Sequence, residues 1–170
     1  MPKSDQGSLS GRYRLIPRTL IFLTRDERVL LIKGAPDKRL WANQYNGIGG
    51  HIEQGEDIYN AAQRELLEET GLWVPMLQLC SVITIDTGEK TGIGVFVFRG
   101  EYTNGELKPS REGELLWVAC DQINTLPLVE DLKVLLPLVL NWQLGEPVMP
   151  ARYFYDKNGA LKIEFATYIK

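Results

Sequence analysis

One window of the chain, Gly50 to Leu72, reads GHIEQGEDIYNAAQRELLEETGL and sets Glu65, Glu68 and Glu69 within five positions, beside Arg64. Asp57 to Thr70 is rich in Ala, Leu, Glu, Gln and Arg, all good helix formers. Gly71 stands where a C-terminal cap belongs, and Gly49, Gly50 and Gly55 make a glycine-rich approach. Side chains advance about 100° per residue along a helix. With Ile58 as origin, Ala61, Ala62, Glu65, Glu68 and Glu69 fall in an arc of roughly 120°, so the acids share a face with small apolar residues. Glu65 and Glu69 are a like-charge i, i+4 pair, a spacing that costs about 0.2–0.5 kcal/mol. The plain alternative is a solvated acidic face, but such a face would intersperse lysines, and positions 57–70 hold none. The pattern asks for a cation.

Clustered carboxylates favour hard, oxygen-seeking cations, Mg²⁺ or Mn²⁺. Zinc fits poorly: the chain has one histidine, His51, and two cysteines, Cys80 and Cys120, without C-x-x-C spacing. An EF-hand is excluded because the acids lie on a helix and not at alternate loop positions. Mg²⁺ held by a few carboxylates keeps positions open for phosphate oxygens, so the chemistry suggested is metal-assisted attack of water on a phosphoryl group.

The same window resembles the Nudix box, G-x5-E-x7-R-E-U-x-E-E-x-G-U, where U is a bulky aliphatic. Gly50, Glu56, Arg64, Glu65, Leu66, Glu68, Glu69, Gly71 and Leu72 fill every fixed position. The resemblance implies an α+β fold, an α/β/α sandwich with a mixed β-sheet between helices. It also implies hydrolysis of a nucleoside diphosphate linked to another moiety, with Mg²⁺ or Mn²⁺ as cofactor. By position it makes Glu65, Glu68 and Glu69 metal ligands, one of them possible as the base for the attacking water; spacing does not say which. Arg64 would orient a glutamate by a charge-assisted contact, and Glu56 would support it from the loop. Gly50 would let its carbonyl approach the metal. His51, at a variable position of the box, reads as a loop residue.

Within the family the chain is most similar to the 8-oxo-dGTP diphosphatase branch, which clears oxidised purine nucleotides. Three stretches carry that likeness. Asn46, before Gly47-Ile48-Gly49-Gly50, stands where the branch reads the purine. Ser110-Arg111-Glu112 resembles the loop that adds a carboxylate, here Glu112 with Glu114 as its substitute. Glu130-Asp131 resembles an acidic pair that contacts the base. The hairpin Arg152 to Thr167 also has a counterpart. One departure stands out: Leu126-Pro127-Leu128 has no aromatic where the branch can place a stacking tryptophan. Trp41 and Tyr45 are the substitutes, with core packing as their alternative. Asn46 also suits a turn before glycine, and Glu130 and Asp131 also suit a helix N-terminus. Lys33 and Arg39 could meet phosphates but read first as solvated surface.

At 170 residues and 44% hydrophobic, the chain is read as one domain over 12–170, with Met1 to Gly11 a loose polar tail and not a signal peptide. Net charge is −3, without a basic stripe, which argues for a small nucleotide partner and against a nucleic-acid polymer. No apolar run suits a membrane helix. Two thiols without a pairing pattern suit the cytoplasm, and a monomer or homodimer is expected.

Strands are expected at Thr19–Leu23 and Val29–Ile32, a hairpin, then at Leu77–Ile85, Ile93–Phe98 and Leu115–Ala119. Asn104-Gly105 signals a hairpin turn, as does Asn158-Gly159 between Tyr153–Asp156 and Leu161–Ala166. Leu132, Leu135, Leu136, Val139 and Leu140 trace one helix face, with a kink or late start expected at Pro137. The chemistry and the resemblance leave three functions: a triphosphate diphosphatase, a pyrophosphatase for ADP-ribose or dinucleoside polyphosphates, and a non-catalytic nucleotide-binding module.

Overall fold

The computed structural model describes residues 11–110 and 112–166. Met1 to Ser10, Arg111 of the expected carboxylate loop, and Thr167 at the end of the expected hairpin lie outside them. The elements run β1 (Arg14–Arg25), β2 (Arg28–Gly34), β3 (Tyr45–Asn46), α1 (Ile58–Thr70), β4 (Leu77–Asp86), β5 (Thr91–Glu101), β6 (Gly113–Ala119), α2 (Leu132–Asn141), β7 (Met149–Tyr155) and β8 (Leu161–Phe165), with a 3₁₀ turn at Ile123–Thr125. The strands form one mixed sheet in the order β3-β2-β1-β5-β4-β7-β8, with β6 on β2. β1 lies parallel to β5 and β4 parallel to β7, and the other pairs are antiparallel.

Alternation along the strands makes two cores. On one face Ile21, Leu23, Leu30, Ile32 and Phe98 pack against Ala62 and Leu66 of α1. On the other Phe22, Val29, Leu31 and Val97 pack against Leu132, Leu135, Leu136 and Val139 of α2. Both faces are therefore covered, which is why these strands read as continuous apolar runs. A bulge between Leu79 and Ser81 changes the parity of β4. Leu77 and Leu79 join the α1 side, while Ile83 and Ile85 join the α2 side. α2 starts at Leu132 and runs through Pro137, without the late start expected from that residue. The missing N–H leaves the carbonyl of Lys133, an exposed residue, without its helical partner.

The turn expected at Asn104-Gly105 does not make a hairpin. β5 already pairs with β1 on one side and β4 on the other, so no edge is left for β6. The chain instead crosses to β2, where β6 pairs from Arg28↔Ala119 to Gly34↔Gly113. On the way Lys108 N–H donates to Thr70 O at 2.8 Å, tying the crossing to the end of α1.

β1 and β2 touch in register only at Thr24↔Val29 and Arg25↔Arg28. Beyond that they part, and the glycine-rich loop fills the gap along β1. Ile21 N–H donates to Ile48 O at 2.6 Å, Thr19 N–H to Gly50 O at 2.9 Å and Ile52 N–H to Pro17 O at 3.1 Å. Gly49, at φ +150°, comes so close that a Cβ would lie 2.2 Å from Thr19 O.

The β1–β2 turn is made by Asp26 and Glu27 at φ 45° and 60°, a conformation that favours Asn-Gly. Glu27→Gly should relieve the strain and stabilise the chain by about 0.5–1 kcal/mol, read as a higher melting temperature. The backbone bond from Cys120 N–H to Glu27 O does not depend on the side chain.

Candidate active site

α1 begins at Asp57, whose carboxylate accepts from the N–H groups of Tyr59 and Asn60. It ends at Gly71 in the left-handed conformation, with its N–H on Leu67 O. The helix is held by its ends, which leaves its middle free to carry unfavourable charge. Ala61, Ala62 and Leu66 are buried, Glu65 and Glu69 half-buried and Glu68 exposed. The shared face read from periodicity is thus real for Glu65 and Glu69, with Glu68 at its edge.

Arg64 organises the acids. Its Nε donates to Glu56 Oε1 at 2.7 Å and its Nη2 to Glu56 Oε2 at 2.9 Å, a bidentate pair. Nη1 donates to Glu65 at 2.8 Å and Glu68 at 3.2 Å, and Nη2 also reaches His51 O at 3.0 Å. The guanidinium and the Glu53 N–H hold the Glu56 carboxyl down to a pKa of about 2. Glu69 is different. Burial, with the charges of Glu65 and Glu112, pushes its carboxyl up to about 7, against the pull of a bond from Gly49 N–H at 3.2 Å. Gly50 gives Glu65 its room: a Cβ there would stand 2.6–2.7 Å from the Glu65 carboxylate. The Gly50 carbonyl, expected to face a metal, accepts from Thr19 N–H and keeps one lone pair for another partner.

Among the described residues no three His, Cys, Asp or Glu side chains form a ready-made metal cage. The reason is visible in their partners. Arg64 draws Glu65 and Glu68, Gly49 draws Glu69, and Lys38 pairs with Glu112. The donors nevertheless fit a hard divalent cation. They are carboxylate oxygens throughout, and the charges of Glu65 and Glu112 disfavour the ionised form of Glu69, a repulsion that the Lys38 ammonium partly eases.

A single cleft of about 760 Å³ gathers most of the expected residues. Glu65, Glu69, Glu112, Gly50 and the exposed His51 line it, as do Asn46, Glu130 and Asp131. Glu56, Arg64 and Glu68 stand outside its lining. Asn46 meets the acidic pair because residues 127–129 run beside β3: Tyr45 N–H donates to Pro127 O and Val129 N–H to Tyr45 O, both at 3.0 Å. Asn46 Oδ1 accepts from Gly47 N–H at 2.8 Å, the turn role its sequence suggested, and this leaves its amide as the cleft-side donor. Asp131 is half-buried and makes no capping hydrogen bond, and burial raises its carboxyl pKa. Glu130 is exposed at the rim. Of the two aromatic substitutes, Trp41 lines the cleft while Tyr45 packs into the core. Lys33 lies over the Tyr45 ring, and neither it nor Arg39 lines the cleft.

Arg18 is the residue that sequence reasoning missed. Among the described residues it is the one lysine or arginine lining the cleft, it forms no ion pair, and its Nε is buried without a partner. A signal was present: a lone arginine between Pro17 and the apolar run Thr19–Leu23 of a central strand.

Two outcomes test this geometry. Arg64→Ala should unlock Glu56, Glu65 and Glu68 together and lower the midpoint of denaturant titration, and Arg64→Lys, lacking the fork, should not restore it. The folded chain also holds the Glu69 proton up to about pH 7, against about 4.5 for the free side chain. Between those values it binds more protons than the unfolded chain, so the stability of chelated protein falls as pH rises. Melting temperatures in EDTA from pH 4.5 to 8 should drop by a few degrees relative to Glu69→Gln; parallel curves would refute the buried carboxyl.

Comparison with known proteins agrees with the box and the fold. The NUDIX domain model matches residues 14–139. The oxidized purine nucleoside triphosphate hydrolase of Mus musculus is 34% identical over 123 residues, covering 72% of this chain and 78% of that one. The NAD-capped RNA hydrolase NudC of Stutzerimonas stutzeri is 29% identical over 142 residues, 81% of this chain but 49% of its own length. The crystal structure of a mutator MutT protein from Bacillus halodurans superposes with a TM-score of 0.75 at 25% identity, covering 89% of this chain and 97% of that one. A domain match over most of the described chain, with every fixed position of the box filled, makes this protein a member of the Nudix hydrolase family.

Proposed function

We propose that this chain hydrolyses a purine nucleoside triphosphate to the monophosphate and pyrophosphate with Mg²⁺ or Mn²⁺, and that oxidised purines such as 8-oxo-dGTP are its preferred substrates. One observation carries the reading: a single cleft is lined by carboxylates for a cation and by Asn46 and Asp131, with the apolar side chains of Ile83, Ile85 and Val95. That lining suits a ligand with a charged end and a flat heterocyclic end. The likeness to the mouse enzyme over most of both chains supports the substrate class.

Charge supports the cofactor. Among the described residues Glu53, Glu65, Glu69, Glu112, Glu130 and Asp131 line the cleft against one arginine, Arg18. A triphosphate would be repelled from such a surface without added cations. Glu65, Glu69 and Glu112 would hold the metal, which supplies charge neutralisation and an activated water. Arg64 and Glu56 keep Glu65 and Glu68 in place. Arg18, whose backbone bridges to His51 beside Gly50, offers its guanidinium to a phosphate oxygen. The Asn46 amide donates to the base, Asp131 accepts from a ring N–H, and exposed Trp41 supplies a stacking face in place of the missing aromatic before Glu130.

The test is turnover of 8-oxo-dGTP, the ordinary dNTPs, ADP-ribose and diadenosine polyphosphates, with products resolved. The expected result is preference for 8-oxo-dGTP with release of pyrophosphate; a preference for ADP-ribose or a dinucleotide overturns the substrate assignment. Glu65→Gln and Glu69→Gln should each lose at least about 100-fold in kcat while remaining folded. Arg18→Met should raise KM about tenfold with a smaller change in kcat.

A further inference from the structure

Among the described residues three buried side-chain polar atoms have no hydrogen-bond partner: Arg18 Nε, Gln63 Oε1 and Tyr153 Oη. Gln63 spends its other amide atom on Val74 O, away from the cleft. The other two residues both line the cleft. Arg18 belongs with the phosphates, as argued above. Tyr153 has no role in the box, in the acidic pair or in the metal cluster.

Its position explains both its burial and its isolation. Tyr153 lies on β7 between Ile85 of β4 and Ile163 of β8, on the face that carries Ile83 and Ala151. The residue is 1% exposed, and its ring packs into the α2-side core. A phenylalanine would fill the same space without burying a hydroxyl that finds no acceptor, an arrangement that destabilises a fold. Burial raises the pKa of the phenol, and the charge of Asp131 raises it further, so the hydroxyl keeps its proton and Asp131 is near enough to feel it. Asp131 is an acceptor in its ionised form and lines the same cleft. A neutral donor and a carboxylate acceptor thus stand together over an apolar floor, and the donor is unmet.

We propose that Tyr153 is a specificity-determining residue whose Oη donates to a ring oxygen of the bound base, beside a ring N–H taken by Asp131. The pair suits a heterocycle edge with N–H next to C=O, as 8-oxopurines carry on the five-membered ring. An unoxidised purine has C8–H opposite Tyr153 and an unprotonated N7 opposite Asp131, and leaves both unmet. This inference rests on the nucleotide reading of the cleft. It differs from that reading in naming a group that the family's motif does not contain.

Tyr153→Phe removes the hydroxyl alone. Since Oη has no partner in the free protein, the variant should melt at the same temperature as the parent or higher. Its kcat/KM for the nucleotide that the parent turns over fastest should fall about tenfold, chiefly through KM. Calorimetric affinity for 8-oxo-dGMP should fall in the same proportion, a readout independent of turnover. If kcat/KM and affinity both stay within twofold of the parent, Tyr153 is a packing residue and the inference is overturned. A lower melting temperature with unchanged kinetics would overturn it too, by showing that the hydroxyl bonds within the protein. The two layers fail separately. A parent enzyme that prefers ADP-ribose or a dinucleotide sinks the substrate assignment, whereas Tyr153 is judged by the ratio of variant to parent affinity for 8-oxo-dGMP, whose base carries the N–H and C=O edge.

Discussion

The bidentate contact between Arg64 and Glu56 is the constraint on which the rest of the site depends. Three glutamates within five helical positions repel one another, and α1 has no lysine to offset them. One guanidinium satisfies Glu56, Glu65 and Glu68 and also takes the carbonyl of His51. It therefore fixes the helix to the loop that precedes it. That loop is in turn fixed to β1 by its own backbone. The carboxylates, the glycines and the central strand form one mechanical unit, although they come from three parts of the motif.

The unit leaves Glu69 as the unsatisfied member. Arg64 does not reach it; a weak bond from Gly49 and the nearby charge of Lys38 are what it has. A site whose acids were all neutralised internally would have little affinity for a cation, and a site with none neutralised would not fold around its helix. Here Arg64 takes Glu56, Glu65 and Glu68 and Lys38 takes Glu112, while Glu69 is pushed towards its protonated form. In the same cleft Asp131 shows the pattern in milder form, half-buried and without a capping hydrogen bond.

Much of this was legible in sequence because it is local. The helix and its caps follow from composition and Gly71, and the shared face of Glu65 and Glu69 follows from a fixed turn per residue. The likeness of nine fixed positions carried the family. What escaped was non-local. Asn104-Gly105 has the composition of a hairpin turn, and only the double pairing of β5 shows that no hairpin can form there. Gly50 was assigned to a carbonyl–metal approach, whereas the closest demand on it comes from the Glu65 side chain. Arg18 and Tyr153 were invisible as ligand groups because their distinction is a missing partner, and absence of a partner is a property of the packed chain. Lys38 could not be matched to Glu112 across 74 positions without the crossing that brings the two loops together.

The glycine-rich loop that closes the gap between β1 and β2 has a consequence for how the protein comes apart. Catalytic loops commonly open by local fluctuation well below the global transition. This one shares ladder hydrogen bonds with the central strand of the sheet, so the amides of Ile21 and Ile48 are shielded by each other. Their solvent exchange is then set by opening of the sheet itself and not by loop motion. The part of the cleft that this loop lines would keep its shape until the core cooperatively melts.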